Sequence, residues 1–200
     1  RKVAKVVIIG AGQAGAEAAL ALRQFRHDGD ITLIGAEDLA PYSRPPLSKD
    51  FLTGTLAVEK LVLRSAQAYE RADVALRLGE MAAALDLAAK QVVLCSGQRI
   101  GYDACILATG SSARALPLPG ADLDGVMTLR TRADGDRLRA ALVLGASLAV
   151  IGAGYLGLEV AASARQLGLS VSVIESAGRI LGRSTSLLTA EALAARHRAE

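Results

Sequence analysis

The chain repeats itself, and that repeat constrains its fold more than any other feature. Residues 5–20 read KVVIIGAGQAGAEAAL, and residues 148–162 read LAVIGAGYLGLEVAA. Each copy is a short β-branched run, then G-x-G-x-x-G, then an Ala- and Leu-rich helical pattern. Gly10, Gly12 and Gly15 form the first set; Gly152, Gly154 and Gly157 form the second.

A strand that turns at once into a helix makes a different demand at each glycine. The first makes the tight turn, the second lets the backbone approach a pyrophosphate, and the third lets helix and strand pack closely. The helix N-terminus then faces the phosphate charge. Each set is followed by a second strand ending in an acid: ITLIGAE closes on Glu37 and VSVIE on Glu175. Such carboxylates accept hydrogen bonds from a ribose diol. Glycine is 20 of 200 residues, so chance supplies about 0.2 matches to one bare motif in such a chain. Two matches, each with strand, helix and acid in place, are not explained that way. The expected fold class is α/β, with two Rossmann-like dinucleotide-binding folds.

Composition removes other classes. Hydrophobic residues are 52% and charged residues 22%, as in a globular domain. Aromatics are 3% with no Trp, and the net charge of +3 is scattered along the chain. That argues against base stacking and a nucleic-acid patch. No apolar run nears the ~18 residues a membrane span needs. The start at Arg1 and Lys2 resembles a signal n-region only briefly, because the apolar stretch stops at Gly10 without a cleavage pattern; it reads as a core strand. Cys95 and Cys105 form neither a CxxC pair nor a metal site and are expected in core packing. Lone His27 and His197 are expected on the surface. A reducing cytoplasm is the expected location.

Between the repeats, LAPYSRPPLSKDFLTG cannot be a regular strand, given Pro41, Pro45 and Pro46. The spacing predicts a helix over 65–71, a strand over 74–78, and a strand pair over 81–87 and 91–95 turning at 88–90. YDACILA, residues 102–108, reads as a buried strand ended by Thr109-Gly110. Residues 114–120 form a crossover, 131–142 a helix, and 186–200 an amphipathic helix. The expected domains are 1–118 and 119–200, the second an incomplete unit of strand, helix, strand and helix starting near Ser147.

Taken in order, VVIIGAGQAGAEAA, PYSRPPLSK, ILATGSSARALPLPG and VIGAGYLGLEVAA resemble the FAD-dependent ferredoxin reductases of bacterial oxygenase systems, the putidaredoxin and rhodocoxin reductase type. RPPLSK is the most discriminating piece. Members are about twice this length and finish both nucleotide domains in their second half. The resemblance implies that the first fold takes FAD and the second NADH. It places Ala14 and Gly15 at the FAD pyrophosphate and Glu37 at its ribose, although some relatives carry Asp where this chain has Ala36. It adds Arg44, Lys49, Met81 and Arg130 to the FAD contacts, and Thr109 and Gly110 beside the flavin-side linker.

The implied reaction is hydride transfer from NADH to the flavin N5, then single-electron steps to a two-iron ferredoxin. In similar flavoproteins a Lys pairs with a Glu of the second glycine-motif helix beside the flavin. Here these are Lys49 and Glu159, the catalytic candidates. The alternative for Lys49 is a solvated side chain, and for Arg44 a loop surface charge. A Glu in the apolar run LGLEVAA is costly to bury unpaired. Arg179 and Arg183 follow Glu175 and could meet a 2′-phosphate. Glu175 would repel that phosphate, so NADH is favoured over NADPH and Arg183 stays among the cofactor-binding candidates. Disulfide reductases of this architecture carry reactive cysteines near the place held by residues 42–49, which have none. The remaining alternatives are another acceptor, rubredoxin or a quinone, and a nucleotide sensor resembling apoptosis-inducing factor.

Overall fold

The structure is a computed structural model that describes residues 3–200. The signal-like reading of Arg1 and Lys2 lies outside the described residues. Contacts divide the chain into two units, Arg1–Ser43 with Glu59–Ser112, and Arg44–Val58 with Ala113–Glu200. Arg44–Val58, which holds RPPLSK, groups with the later half.

In the first unit a parallel sheet runs in the order β3-β2-β1-β7. Its strands are β1 (Lys5–Ile9), β2 (Asp30–Gly35), β3 (Val74–Leu78) and β7 (Ala104–Leu107). β1 is apolar at every position after Lys5 because both of its faces are covered. Val6 and Ile8 meet Ala16 and Ala19 of α1 (Gln13–Gln24) and Tyr69 of α3 (Ala66–Arg71). Val7 and Ile9 meet Val92, Leu94 and Ile100. Those three belong to an antiparallel sheet of β4 (Ala82–Asp86), β5 (Gln91–Leu94) and β6 (Arg99–Gly101). The small side chains of Ala16 and Ala19 let α1 lie close on the sheet.

Three expectations change here. β7 is not fully buried: Ala104 to Ile106 are half-buried and Leu107 is exposed, because among the described residues β7 is an edge strand paired with β1. Cys95 follows β5 and is exposed, so it is not a core residue, whereas Cys105 is half-buried and packs against the cluster of Val7 and Ile9 as expected; both are free thiols. His27 is half-buried, with its Nε2 shielded from solvent at the end of α1.

Arg23 ties the end of α1 to the end of α3. Its guanidinium donates to the carbonyls of Ala72 (2.9 Å), His27 (2.7 Å), Gly29 (2.7 Å) and Asp73 (2.5 Å), and to the Asp73 carboxylate at 3.1 Å. Its side chain is only 17% exposed. Arg23→Ala leaves these carbonyls without their donor and is expected to cost about 2–4 kcal/mol in urea unfolding. Arg23→Lys should recover less than half, since one ammonium cannot reproduce the fork. A loss under about 0.5 kcal/mol for Arg23→Ala would show that the bonds carry no net stability.

The second unit is built on two parallel strands, β8 (Ser147–Ile151) and β9 (Ser170–Ile174), paired from Ser147↔Ser170 to Ile151↔Ile174. α5 (Tyr155–Gln166) covers them, burying Leu158, Val160, Ala161 and Ala164. Val160 and Ala164 pack with Leu52 of α2 (Asp50–Thr53) and with Leu138 of α4 (Arg132–Ala141). α4 opens with a capping box: Thr131 Oγ1 accepts from Asp134 N–H, and the Asp134 carboxylate accepts from Thr131 N–H at 2.8 Å. The last helix, α6 (Leu187–Ala199), is not amphipathic. Its apolar residues wrap around the axis, so Leu187 and Leu188 are exposed and Ala190 alone is buried. His197 is half-buried and lines a cavity of about 950 Å³ with Arg165 and Glu175. Among the described residues no helix is long and apolar enough to cross a membrane.

Candidate functional site

The two glycine loops repeat one geometry, each inside its own unit. Gly10 and Gly152 adopt φ +112° and +102°, a region L side chains avoid. Their N–H groups donate across to the second strand: Gly10 to Ile34 at 2.8 Å, Gly152 to Ile174 at 2.7 Å. A Cβ on Gly15 would stand 1.9 Å from the Gly10 carbonyl oxygen, and one on Gly157 would stand 2.1 Å from that of Gly152. These third glycines let the first turns of α1 and α5 touch their own loops. The middle glycines differ. A Cβ on Gly12 or Gly154 would meet nothing within 4 Å. Each is the N-cap of its helix, with no side-chain cap bond to satisfy the first N–H groups. Open space before uncapped, positively polarised amides is what a pyrophosphate requires.

Around the first loop the unit collects most of its other candidates. Ala14 is exposed in the first turn of α1. Gly10 lies so close to the Ala108 carbonyl that a Cβ would be 2.1 Å from it, which sets Thr109 and Gly110 beside the loop. Glu37 follows β2, and Tyr42 Oη donates to its Oε2 at 2.7 Å. Gly79 N–H bonds the Glu37 carbonyl at 2.9 Å, and Glu80 N–H that of Gly35 at 2.9 Å. Met81, exposed, follows directly. Sequence reasoning missed Tyr42, although PYSRPPLSK contains it.

Glu175 closes β9 and turns back to its own glycine loop. Its Oε2 accepts from Ala153 N–H at 2.8 Å, and its Oε1 from Ala177 N–H at 2.9 Å. The amide of Ala177, then that of Ala153, hold the carboxyl below the usual carboxylate range. Arg183 is exposed in the loop beyond, where Arg179 donates to the Gly182 carbonyl at 2.9 Å.

Arg44, Lys49 and Arg130 fall in the second unit. Arg44 donates to the Arg130 carbonyl at 2.6 Å. Pro45–Ser48 form a 3-10 turn, which ends as α2 begins at Asp50. At that junction Lys49 Nζ lies 2.7 Å from Glu159 Oε1 on α5, so the two catalytic candidates meet. Their side chains are 47% and 32% exposed. Burial works against ionisation of Glu159. The hydrogen bonds from Lys49 and Ser48 and the Lys49 charge outweigh it, leaving the carboxyl below its usual range. Ser48, whose Oγ donates to Glu159 Oε2 at 2.6 Å, was also missed by sequence reasoning.

Parallel strands, two phosphate-ready loops and an acid after each second strand define a dinucleotide-binding α/β protein. Residues 4–200 match the family described as pyridine nucleotide-disulphide oxidoreductase, and the chain belongs to it. It is 46% identical over 181 residues to rhodocoxin reductase of Rhodococcus erythropolis, covering 90% of this chain and 42% of that protein. It is 41% identical over 195 residues to a rubredoxin-NAD(+) reductase of Pseudomonas putida, covering 98% of this chain and 51% of that protein. Among solved structures, putidaredoxin reductase in its covalent complex with putidaredoxin superposes with a TM-score of 0.89 at 38% identity, over 97% of this chain and 47% of that one. The chain thus spans about half the length of the relatives it matches.

Proposed function

We propose that this chain binds FAD at the Gly10–Gly15 loop and NADH at the Gly152–Gly157 loop, in a protein that reduces a two-iron ferredoxin of an oxygenase system. The observation that carries the reading is the recurrence of one loop geometry, with open space at Gly12 and Gly154. FAD, once bound, would supply the redox chemistry that links a two-electron donor to a one-electron acceptor. The residues of this chain bind and orient. Backbone amides at the starts of α1 and α5 meet the two pyrophosphates, and Ala14 leaves room for the first. Glu37, steadied by Tyr42, and Glu175, steadied by Ala153 and Ala177, accept from the two ribose diols. Arg44, Met81, Thr109, Gly110 and Arg130 complete the FAD contacts, and Arg183 the nicotinamide-nucleotide ones. Lys49, held by Glu159, would offer a positive charge to the flavin. The proposed domains remain 1–118 for FAD and 119–200 for NAD; the contact units differ in placing Arg44–Val58 with the second unit and in starting its later segment at Ala113.

The test is an anaerobic NADH titration of the purified protein at the flavin absorbance, followed by a two-iron ferredoxin. Bleaching, then rapid recovery, supports the reading. A bleached flavin that only rubredoxin restores selects the second reading, which the likeness to a rubredoxin-NAD(+) reductase favours. Absence of flavin rejects both. An acidic acceptor should also work faster at low salt.

Glu175 sets the preference between nucleotides. Glu175→Ser removes the charge that repels a 2′-phosphate and the acceptor that meets the 2′-hydroxyl. The ratio of kcat/KM for NADH over NADPH should then fall by about tenfold or more. An unchanged ratio would argue against the ribose role.

A further inference from the structure

Tyrosines aside, two serines are the buried polar side chains among the described residues, Ser48 at 1% exposure and Ser163 at 5%. Both belong to one chain of hydrogen bonds. Ser163 Oγ donates to the Ser48 carbonyl at 2.7 Å, and Ser48 Oγ donates to Glu159 Oε2 at 2.6 Å. Lys49 Nζ takes the other carboxylate oxygen at 2.7 Å. A hydroxyl has a single proton, and the second contact of Ser48 Oγ, to the Pro45 carbonyl, is longer at 3.3 Å. The proton therefore goes to Glu159. Alanine would fill either position without a polar atom to desolvate, so packing alone does not account for two buried hydroxyls. Ser163 stands one helical turn beyond Glu159 on α5, on the same face.

We propose that Ser48 is the positioning residue of the Lys49–Glu159 pair: anchored from behind by Ser163, its hydroxyl fixes the Glu159 carboxylate, and Glu159 fixes Lys49. The proposal rests on the reading of Lys49 as the cation that supports flavin reduction. A carboxylate held at one oxygen only can rotate; held at both, it presents Oε1 to Lys49 in one orientation. Ser48 also bonds only the ionised form in this way, and so extends the pH range in which Lys49 has its partner.

Lys49 is the charged side chain whose field acts on Glu159. The other elements packed on α5 direct their charges elsewhere. β8 and β9 carry none. On α4, Arg132 pairs with Asp136 and Arg137 with Asp134, and Arg139 lies against Gly54. Asp50 of α2 is exposed. Arg165 of α5 donates to the carbonyls of Leu169 and Glu200.

The experiment titrates Glu159 by NMR in protein with 13C-labelled glutamate side chains, assigned through Glu159→Gln, and follows the pH profile of flavin reduction by NADH. In Ser48→Ala the Glu159 midpoint should rise by about one pH unit. The acid limb of the reduction rate should move with it. On a Glu159→Gln background, Ser48→Ala should then change the rate less than about twofold. An unmoved midpoint, or a rate loss equal at every pH, overturns the proposal. Should Ser48→Ala fail to fold, Ser48→Cys keeps the volume with a weaker donor, and its midpoint must move the same way; no movement overturns the proposal. Lys49→Met separates the two ideas. If it leaves flavin reduction unchanged, the pair has no part in the reaction and the role given to Ser48 falls with it. If it slows reduction while Ser48→Ala moves nothing, the Ser48 assignment alone fails.

Discussion

Lys49→Met is expected to slow reduction of the bound flavin by NADH about 100-fold, with NADH affinity changed less than about threefold. Methionine keeps the length of the side chain and removes its charge, so the loss isolates electrostatics. One preorganised donor at a developing charge is worth about that factor. The fold should survive, because Glu159 keeps its bond from Ser48 and is 32% exposed to water. Lys49 itself is 47% exposed, so solvent screens the pair and its share of global stability is under about 1 kcal/mol. The sign follows from the lowered Glu159 carboxyl: its contribution is present above the unfolded carboxylate pKa and is lost as pH falls through the folded one. In Lys49→Met the carboxyl shifts back up, so the difference from the parent should appear at neutral pH and vanish in acid. Stopped-flow absorbance measures the rate, and a rate equal to the parent's would remove Lys49 from the reaction.

The second large effect separates two glycines three residues apart. Gly15→Ala should lower stability by about 3 kcal/mol and abolish FAD retention together, since its Cβ would stand 1.9 Å from the Gly10 carbonyl oxygen. That neighbour is backbone, held in turn by the bond from Gly10 N–H to Ile34 at 2.8 Å, so α1 must move. Gly12→Ala meets nothing within 4 Å and sits at φ −86°, which alanine tolerates. Its stability should change by about 1 kcal/mol or less. Its FAD affinity should fall at least about 100-fold, because the methyl takes the space the pyrophosphate needs. Flavin content after gel filtration, beside a urea melt, reads both quantities. A Gly12→Ala protein that keeps stoichiometric FAD would place the phosphates elsewhere.

Much of the fold was legible in the sequence because it is local. A strand, a G-x-G-x-x-G turn and a helix span some twenty residues, and the sterics that need glycine at Gly10 and Gly15 act within that span. The positions of Glu37 and Glu175 were legible for the same reason: each follows the strand paired with its glycine strand. The hairpin of β4 and β5 and the helices α3 and α4 also came from local pattern. The burial of β7, the amphipathic reading of α6 and the core placement of Cys95 did not hold, because exposure depends on which neighbours lie across the sheet or helix. A strand on the edge and one in the centre can carry the same apolar residues.

What the sequence by itself determined is the repeated nucleotide-binding grammar: two loops, two helix starts, two acids. The tertiary structure decided which distant residues meet. It grouped Arg44–Val58 with the second unit, set Tyr42 on Glu37, and joined Ser48 to Glu159 across 111 positions of chain. No periodicity or spacing encodes such a bond. It exists because α5 and the turn before α2 are packed by Leu52, Leu138, Val160 and Ala164, and that packing brings a buried hydroxyl within reach of a carboxylate.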